Sequence, residues 1–303
     1  MSRLFGVDHS PWTQAAVLAH ADHGITVRLQ PYPSFSYFLQ SGLVMPVCWH
    51  GDGRQTADSL AIIQTLSVSN DAESQPALEA DFTELERLFL AYALDRSGPG
   101  RRLAFIRGWA GMTDSPLTPI SIALRALLCW HFLVLISAGR RIMNKHRGEP
   151  SRIDQLNRRL APWIARLEDT PFLGGEEPSA SDFGLLGHLE CMCSGLTDWA
   201  MRVAGEHPKL VAWLQRMHAR LTHHPTLYSR RLIDPSAGPT GPGKAARVWF
   251  FLWMILWVAA FPLTVSILVY ASVQRRGAAH RTGGRLDART AQNSDRTVST
   301  LEG

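Results

Sequence analysis

Ser10 stands directly before Pro11 and Trp12 in DHSPWTQAAVLAHADHG, residues 8–24, where a helix is set to begin. A serine at that place has two uses. Its hydroxyl can cap the helix, with proline pre-set for the first helical position. It can also donate to an anion, such as a bound thiol in its thiolate form, held at the same helix N-terminus. This stretch alone leaves both open. His9 abuts Ser10, but neighbours on a turn rarely form a nucleophile–base pair, and no GxSxG elbow occurs in the chain. His218, His223 and His224 close a later helix; they can ligate a metal, but histidines at a helix C-terminus commonly serve only its dipole. Cys48, Cys129, Cys191 and Cys193 form no CxxC pair and no zinc spacing, so no metal is expected and the body reads as reduced and cytosol-facing.

The elements that must position Ser10 follow from local pattern. RLFGV (3–7) reads as a buried strand and 11–23 as a helix stopped by Gly24. ITVRLQ (25–30) alternates apolar and polar residues like a strand, and a short irregular or helical piece runs on to Leu43. MPVCWH (45–50) is a strand, GDG (51–53) a tight turn, RQTA its hairpin partner, and Asp58 opens the helix DSLAIIQTL. Strand, helix and strand in succession make a parallel pair, and the hairpin adds antiparallel strands. That is the layout of a thioredoxin-like α/β domain. Beyond Pro76 helices take over: 78–94, 120–143, 152–167 with Ile153, Leu156, Leu160, Trp163, Ile164 and Leu167 on one stripe, and 208–221.

Three motifs in this order resemble the glutathione transferase superfamily, in its serine type, over about residues 3 to 222. They are SPW (10–12) ahead of a helix, MPV (45–47) followed by a hairpin and DSLAIIQTL, and FLGGEEPSASD (172–182) with Ser179 and Asp182 three apart. The resemblance implies a thioredoxin-like glutathione-binding domain at 1–68 and an all-α domain at 76–232. It implies that Ser10 is catalytic and donates its hydroxyl to the sulfur of glutathione as co-substrate. A cis peptide before Pro46 would free the backbone of Met45 to pair with the tripeptide; a trans proline opening a strand is the alternative. Ser59 would take the γ-glutamyl carboxylate and Asp58 the ammonium, directly or from a neighbouring subunit, though both positions also suit simple capping. Ser179 and Asp182 would form a structural capping box that matters for folding.

Two departures stand out. Relatives carry Glu or Gln where this chain has Asp58, and LQSGLVM lacks the lysine that often holds the glycyl carboxylate, leaving Gln40 in its stead. The second substrate would be a lipophilic electrophile held between the two domains, with Phe105, Trp109 and Trp130 as candidate lining; a homodimer is the family's common state. The region from Asp182 to Leu221 is also loosely similar to metaxin-like, membrane-associated transferase-fold proteins. That gives a second functional class, a non-catalytic interaction module tethered to a membrane.

The membrane enters through Val248–Val273, 26 residues without a charge. As a helix that run spans about 39 Å, more than the ~30 Å of a hydrocarbon core, and it is expected to be a single transmembrane helix. Trp249, Trp253 and Trp257 would share a face toward lipid or its interface. DPSAGPTGPGK opens a linker at 233–247, and 274–303 reads as a disordered polar tail. The expected location is therefore a single-pass membrane protein with its body in the cytosol, although arginines on both flanks leave the side of the tail open. Ile120–Gly139, broken by Arg125 and His131, is expected to be a buried helix of the body. Net charge is +5 with no dense arginine run, so no nucleic-acid partner is expected.

Overall fold

The computed structural model describes residues 2–7, 9–30, 46–66, 75–93, 99–110, 118–143, 152–224, 227–234, 236–237, 243–260 and 266. Strand β1 (Arg3–Phe5) leads into helix α1 (Pro11–Asp22), and β2 (Arg28–Gln30) returns parallel to β1. β3 (Val47–Trp49) runs antiparallel to β1, and β4 (Gln55–Ala57) antiparallel to β3, so the sheet order is β2-β1-β3-β4. This mixed sheet is the thioredoxin-like arrangement expected from the strand and hairpin signals. Gly24 ends α1 at φ +67° and Gly53 turns the hairpin at φ +84°, backbone states that cost a glycine little. Under the sheet, Leu4, Ala16, Cys48 and Ile62 form a small core between α1, the strands and helix α2 (Ser59–Gln64).

The rest is helical: α3 (Gln75–Ala93), α4 (Pro99–Ala110), α5 (Pro119–Met143), α6 (Arg152–Arg166), α7 (Ala180–Cys191), α8 (Asp198–Gly205), α9 (Pro208–Arg220) and α10 (Lys244–Ala259). A π turn, Met192–Leu196, follows α7, and a 3₁₀ turn, Tyr228–Leu232, follows α9. All twelve residues of α7 are buried, as befits the central rod of a helical layer. Two of its glycines let neighbours in. A Cβ on Gly184 would lie 2.5 Å from Leu85 of α3, and one on Gly187 only 2.2 Å from the Pro11 carbonyl of α1. On α6, Leu156, Leu160, Trp163 and Leu167 are buried, but Ile153 is 46% exposed and leaves the expected stripe. Pro162 is accommodated inside α6; the carbonyl it cannot pair belongs to Arg158, on the exposed side.

The C-terminal apolar run departs from expectation. Helix α10 begins at Lys244 and ends at Ala259. Sixteen residues make about 24 Å of helix, short of a bilayer core of ~30 Å. Among the described residues no helix is long and apolar enough to cross a membrane. The transmembrane helix and the single-pass location are thereby overturned. In place of lipid, Phe250 and Met254 are buried against Ile122, Ala126 and Cys129 of α5. Trp253 and Trp257 stack with centroids 6.1 Å apart on the same side, and the Trp257 indole N–H donates to the Ala123 carbonyl at 2.9 Å. Trp249 does not join them and is 55% exposed. The expected tail, 274–303, lies outside the described residues.

Candidate functional site

The sheet register gathers the candidate residues at one end. Phe5 pairs with Val47, and Val47 pairs with Ala57, so the end of β1, the start of β3 and the end of β4 lie in one row. Ser10 follows β1 by a short turn, Pro46 precedes β3, and Asp58 and Ser59 follow β4. The Asp58 amide donates to the Pro46 carbonyl at 3.1 Å, closing the row. Met45 lies outside the described residues. The turn into α1 is tight: a Cβ on Gly6 would meet the Thr13 hydroxyl at 2.4 Å.

Ser10 is the N-cap residue of α1 by backbone, with φ −75° and ψ 127°, and its carbonyl accepts the Gln14 amide at 2.9 Å. Its half-buried hydroxyl makes no capping bond. The first-turn amides of α1 therefore keep their positive potential, and the hydroxyl stands beside it. Asp58 is different. One carboxylate oxygen accepts the Leu60 amide at 2.9 Å, so this residue does cap its helix. Its backbone is left-handed at φ +83°, the only such non-glycine among the described residues. Holding a non-glycine there costs on the order of 1–3 kcal/mol, a strain that collects at ligand sites. Ser59 beside it is buried.

The SASD motif is a hub. The buried Asp182 carboxylate accepts hydrogen bonds from the amides of Leu173, Gly174 and Ser179, the Ser179 hydroxyl and the Trp213 indole, at 2.8–3.1 Å. Burial still pushes its carboxyl above the usual range, against those donors. It ties the 172–175 turn and α9 to the start of α7. Neither it nor Ser179 lies in the row of Ser10, Pro46 and Asp58.

Sequence reasoning missed two groups. His9 is buried with its Nε2 hydrogen-bonded to the Tyr228 hydroxyl at 3.3 Å and its ring against that phenol, centroids 4.9 Å apart and planes tilted by 44°. Burial, then the charge of Arg125, pushes its imidazole well below the ordinary range, so it is neutral at pH 7. Tyr228 and Ser229 donate their amides to the buried Glu190 carboxylate, which also takes the Ser229 hydroxyl. The second group is His188, buried between Trp12, Phe89 and Tyr92, with Nδ1 hydrogen-bonded to the Tyr92 hydroxyl at 3.1 Å. Burial pushes its imidazole down to about 3. A histidine three residues after Leu185 on the same helix face was the available signal.

The remaining candidates are placed elsewhere. Trp109 is buried, and Trp130 partly so, in the cluster of α4, α5 and α10, so both are committed to packing; the Phe105 side chain lies outside the described residues. His218 is hydrogen-bonded to the Ser229 hydroxyl at 2.8 Å, and burial pushes it down to about 4. Among the described residues no three His, Cys, Asp or Glu side chains are grouped to hold a metal ion. All four cysteines are buried free thiols, and burial pushes Cys191 up to about 12.

No family model matches the chain, and no curated protein matches it. Solved structures do. A glutaredoxin 2 from Salmonella typhimurium, in complex with glutathione, is similar at 17% identity and a TM-score of 0.48, covering 76% of this chain and 98% of that one. A glutathione S-transferase from Pseudomonas fluorescens is similar at 19% identity and 0.42, over 74% and 96%. A glutathione transferase from Populus trichocarpa is similar at 12% and 0.43, over 78% and 98%. The likeness is to glutathione transferases and a glutaredoxin, and it is one of fold; none of these three is metaxin-like.

Proposed function

We propose that the chain is a glutathione transferase-type protein, with residues 1–68 as the glutathione-binding domain and 76–232 as the helical domain. The observation that carries this reading is the Ser10 hydroxyl, left out of capping at the N-terminus of α1 and leaving the sheet at the same end as the strained Asp58 and buried Ser59. A thiol near its ordinary pKa of ~8.5 is mostly protonated at pH 7. The hydroxyl, donating to sulfur, and the helix amides favour the anion. The thiol proton leaves to solvent. The thiolate electron pair then forms a carbon–sulfur bond to an apolar electrophile, whose leaving group departs with its own bonding pair. Met45, with a cis peptide into Pro46, would pair with the peptide backbone. Ser59 would receive the γ-glutamyl carboxylate, and the Asp58 oxygen not used on Leu60 would face the ammonium.

The test is calorimetric titration with glutathione, followed by conjugation to a chlorodinitrobenzene. Binding with turnover supports the reading, and Ser10→Ala is expected to lower kcat/KM by about tenfold or more, the worth of one charge-assisted hydrogen bond. Absence of binding at millimolar glutathione overturns it. Binding without turnover would leave a glutathione-binding module in its place.

A further inference from the structure

Helix α10 is apolar on two opposite sides. Ala246, Phe250, Trp253 and Trp257 pack toward α5. The opposite stripe, Ala245, Val248, Leu252, Ile255 and Ala259, is exposed along its whole length, with Val248 at 58%, Leu252 at 50% and Ile255 at 68%. Its steps of three and four residues are those of a coiled-coil seam, which calls for a second helix. Trp249 and Leu256 widen it, and no charged residue interrupts it between Val248 and Ala259. An apolar surface of this extent marks an interaction site.

Three features identify the occupant. The residue sizes read nearly the same in both directions about Leu252: Ala, Val, Leu, Ile, Ala. A copy of the helix laid antiparallel, with a twofold axis through Leu252, sets Val248 against Ile255 and Ala245 against Ala259. The same arrangement opposes the helix dipoles and keeps Lys244 and Arg247 of one copy away from those of the other, whereas a parallel pair would bring them together. Together with Trp249 and Leu256, these side chains expose on the order of 600 Å² per copy, so covering all of it in a pair would bury about 1,200 Å², the lower bound for a stable specific interface. We propose that this face is a self-association surface, on which α10 of a second copy of the chain docks antiparallel about Leu252. The contact is isologous, as a twofold dimer requires. It does not depend on glutathione binding, and its test is run without glutathione.

The experiment is light scattering on the full chain in detergent-free buffer at tens of micromolar. A dimer is expected. Leu252→Glu, which sets two like charges face to face on the axis, is expected to give a monomer with an unchanged circular dichroism spectrum, since position 252 is outside the core. If that variant misfolds, Leu252→Ala replaces it and is expected to weaken the dimer about tenfold or more. Under mild oxidation Leu252→Cys is expected to cross-link to a covalent dimer. Val248→Cys alone is not, because antiparallel copies hold those positions about 12 Å apart along the axis. A monomeric wild type overturns the proposal. So does a dimer insensitive to position 252, or cross-linking through Val248→Cys alone. Flotation of a monomer with phosphatidylcholine–phosphatidylglycerol vesicles, abolished by Leu252→Glu, overturns it as well.

Discussion

Ser10 and Asp58 each begin a helix, yet they spend their side chains differently. Asp58 caps α2 through the Leu60 amide, whereas the Ser10 hydroxyl makes no such bond. Removing a working cap costs about 1 kcal/mol. Ser10→Ala should therefore leave Tm within about 1 °C of wild type while activity falls, since there is no capping bond to lose. A thermal melt beside the conjugation assay separates the two effects; a large drop in Tm would return Ser10 to a structural role. His188 supports a pH prediction. Its folded value is about 3 against an ordinary 6.5, so the folded state refuses a proton that the unfolded chain accepts. Stability from this group is complete above 6.5 and is lost as pH falls toward 3, at about 1.4 kcal/mol per unit, or about 2 kcal/mol by pH 5. Buried His9 acts with the same sign. Urea midpoints at pH 7 and pH 5 should differ accordingly, and His188→Asn, which keeps an acceptor for Tyr92, should reduce the difference by about that amount, with His9 and His218 carrying the rest.

At the scale of elements, what the chain announces locally was legible and what it borrows from neighbours was not. The strands, helix and hairpin described between residues 2 and 66 could be read because alternation and glycine turns are properties of adjacent residues, while the irregular or helical piece expected up to Leu43 lies outside the described residues. Helix α4 was missed because Pro99, Gly100, Arg101 and Arg102 at its start carry no stripe, and α8 because it is only eight residues long. The apolar run after 248 was misread because an all-apolar helix looks the same whether it faces lipid or packs on α5. Likewise, Ser10 and Asp58 were legible as helix openers, but which of them caps depends on side-chain direction, which no spacing records. The Asp182 hub shows how much one residue can organise. Asp182→Ala leaves the amides of Leu173, Gly174 and Ser179 and the Trp213 indole buried without their acceptor. At 1–3 kcal/mol per orphaned donor the loss is about 4 kcal/mol or more. Tm should fall by about 10 °C or more. Turnover by the molecules still folded at low temperature should be unchanged, because the hub is away from Ser10.

Across the whole molecule, the site rests on how closely two helices approach. The N-terminus of α1 must sit at the sheet end, and α7 presses on it through Gly187, where a Cβ would come within 2.2 Å of the Pro11 carbonyl and 2.8 Å of the Ala15 amide. Both are backbone atoms, so no side chain can turn aside to make room. Gly187→Ala therefore forces α1 and α7 apart by a fraction of an ångström or more, and overpacking of this kind costs about 1–3 kcal/mol. The shift displaces the residues around Ser10 and leaves the β3–β4 hairpin with Pro46, Asp58 and Ser59 where it was. Two readouts should move together: Tm should drop by several degrees, and glutathione should bind about tenfold or more weakly at a temperature where the variant is fully folded. Gly184→Ala crowds a terminal methyl of the buried Leu85, the end of a side chain rather than backbone, and should lower Tm less than Gly187→Ala while leaving glutathione affinity intact. Equal effects of the two substitutions on affinity would show that the sheet end, not the approach of α7, sets the position of Ser10.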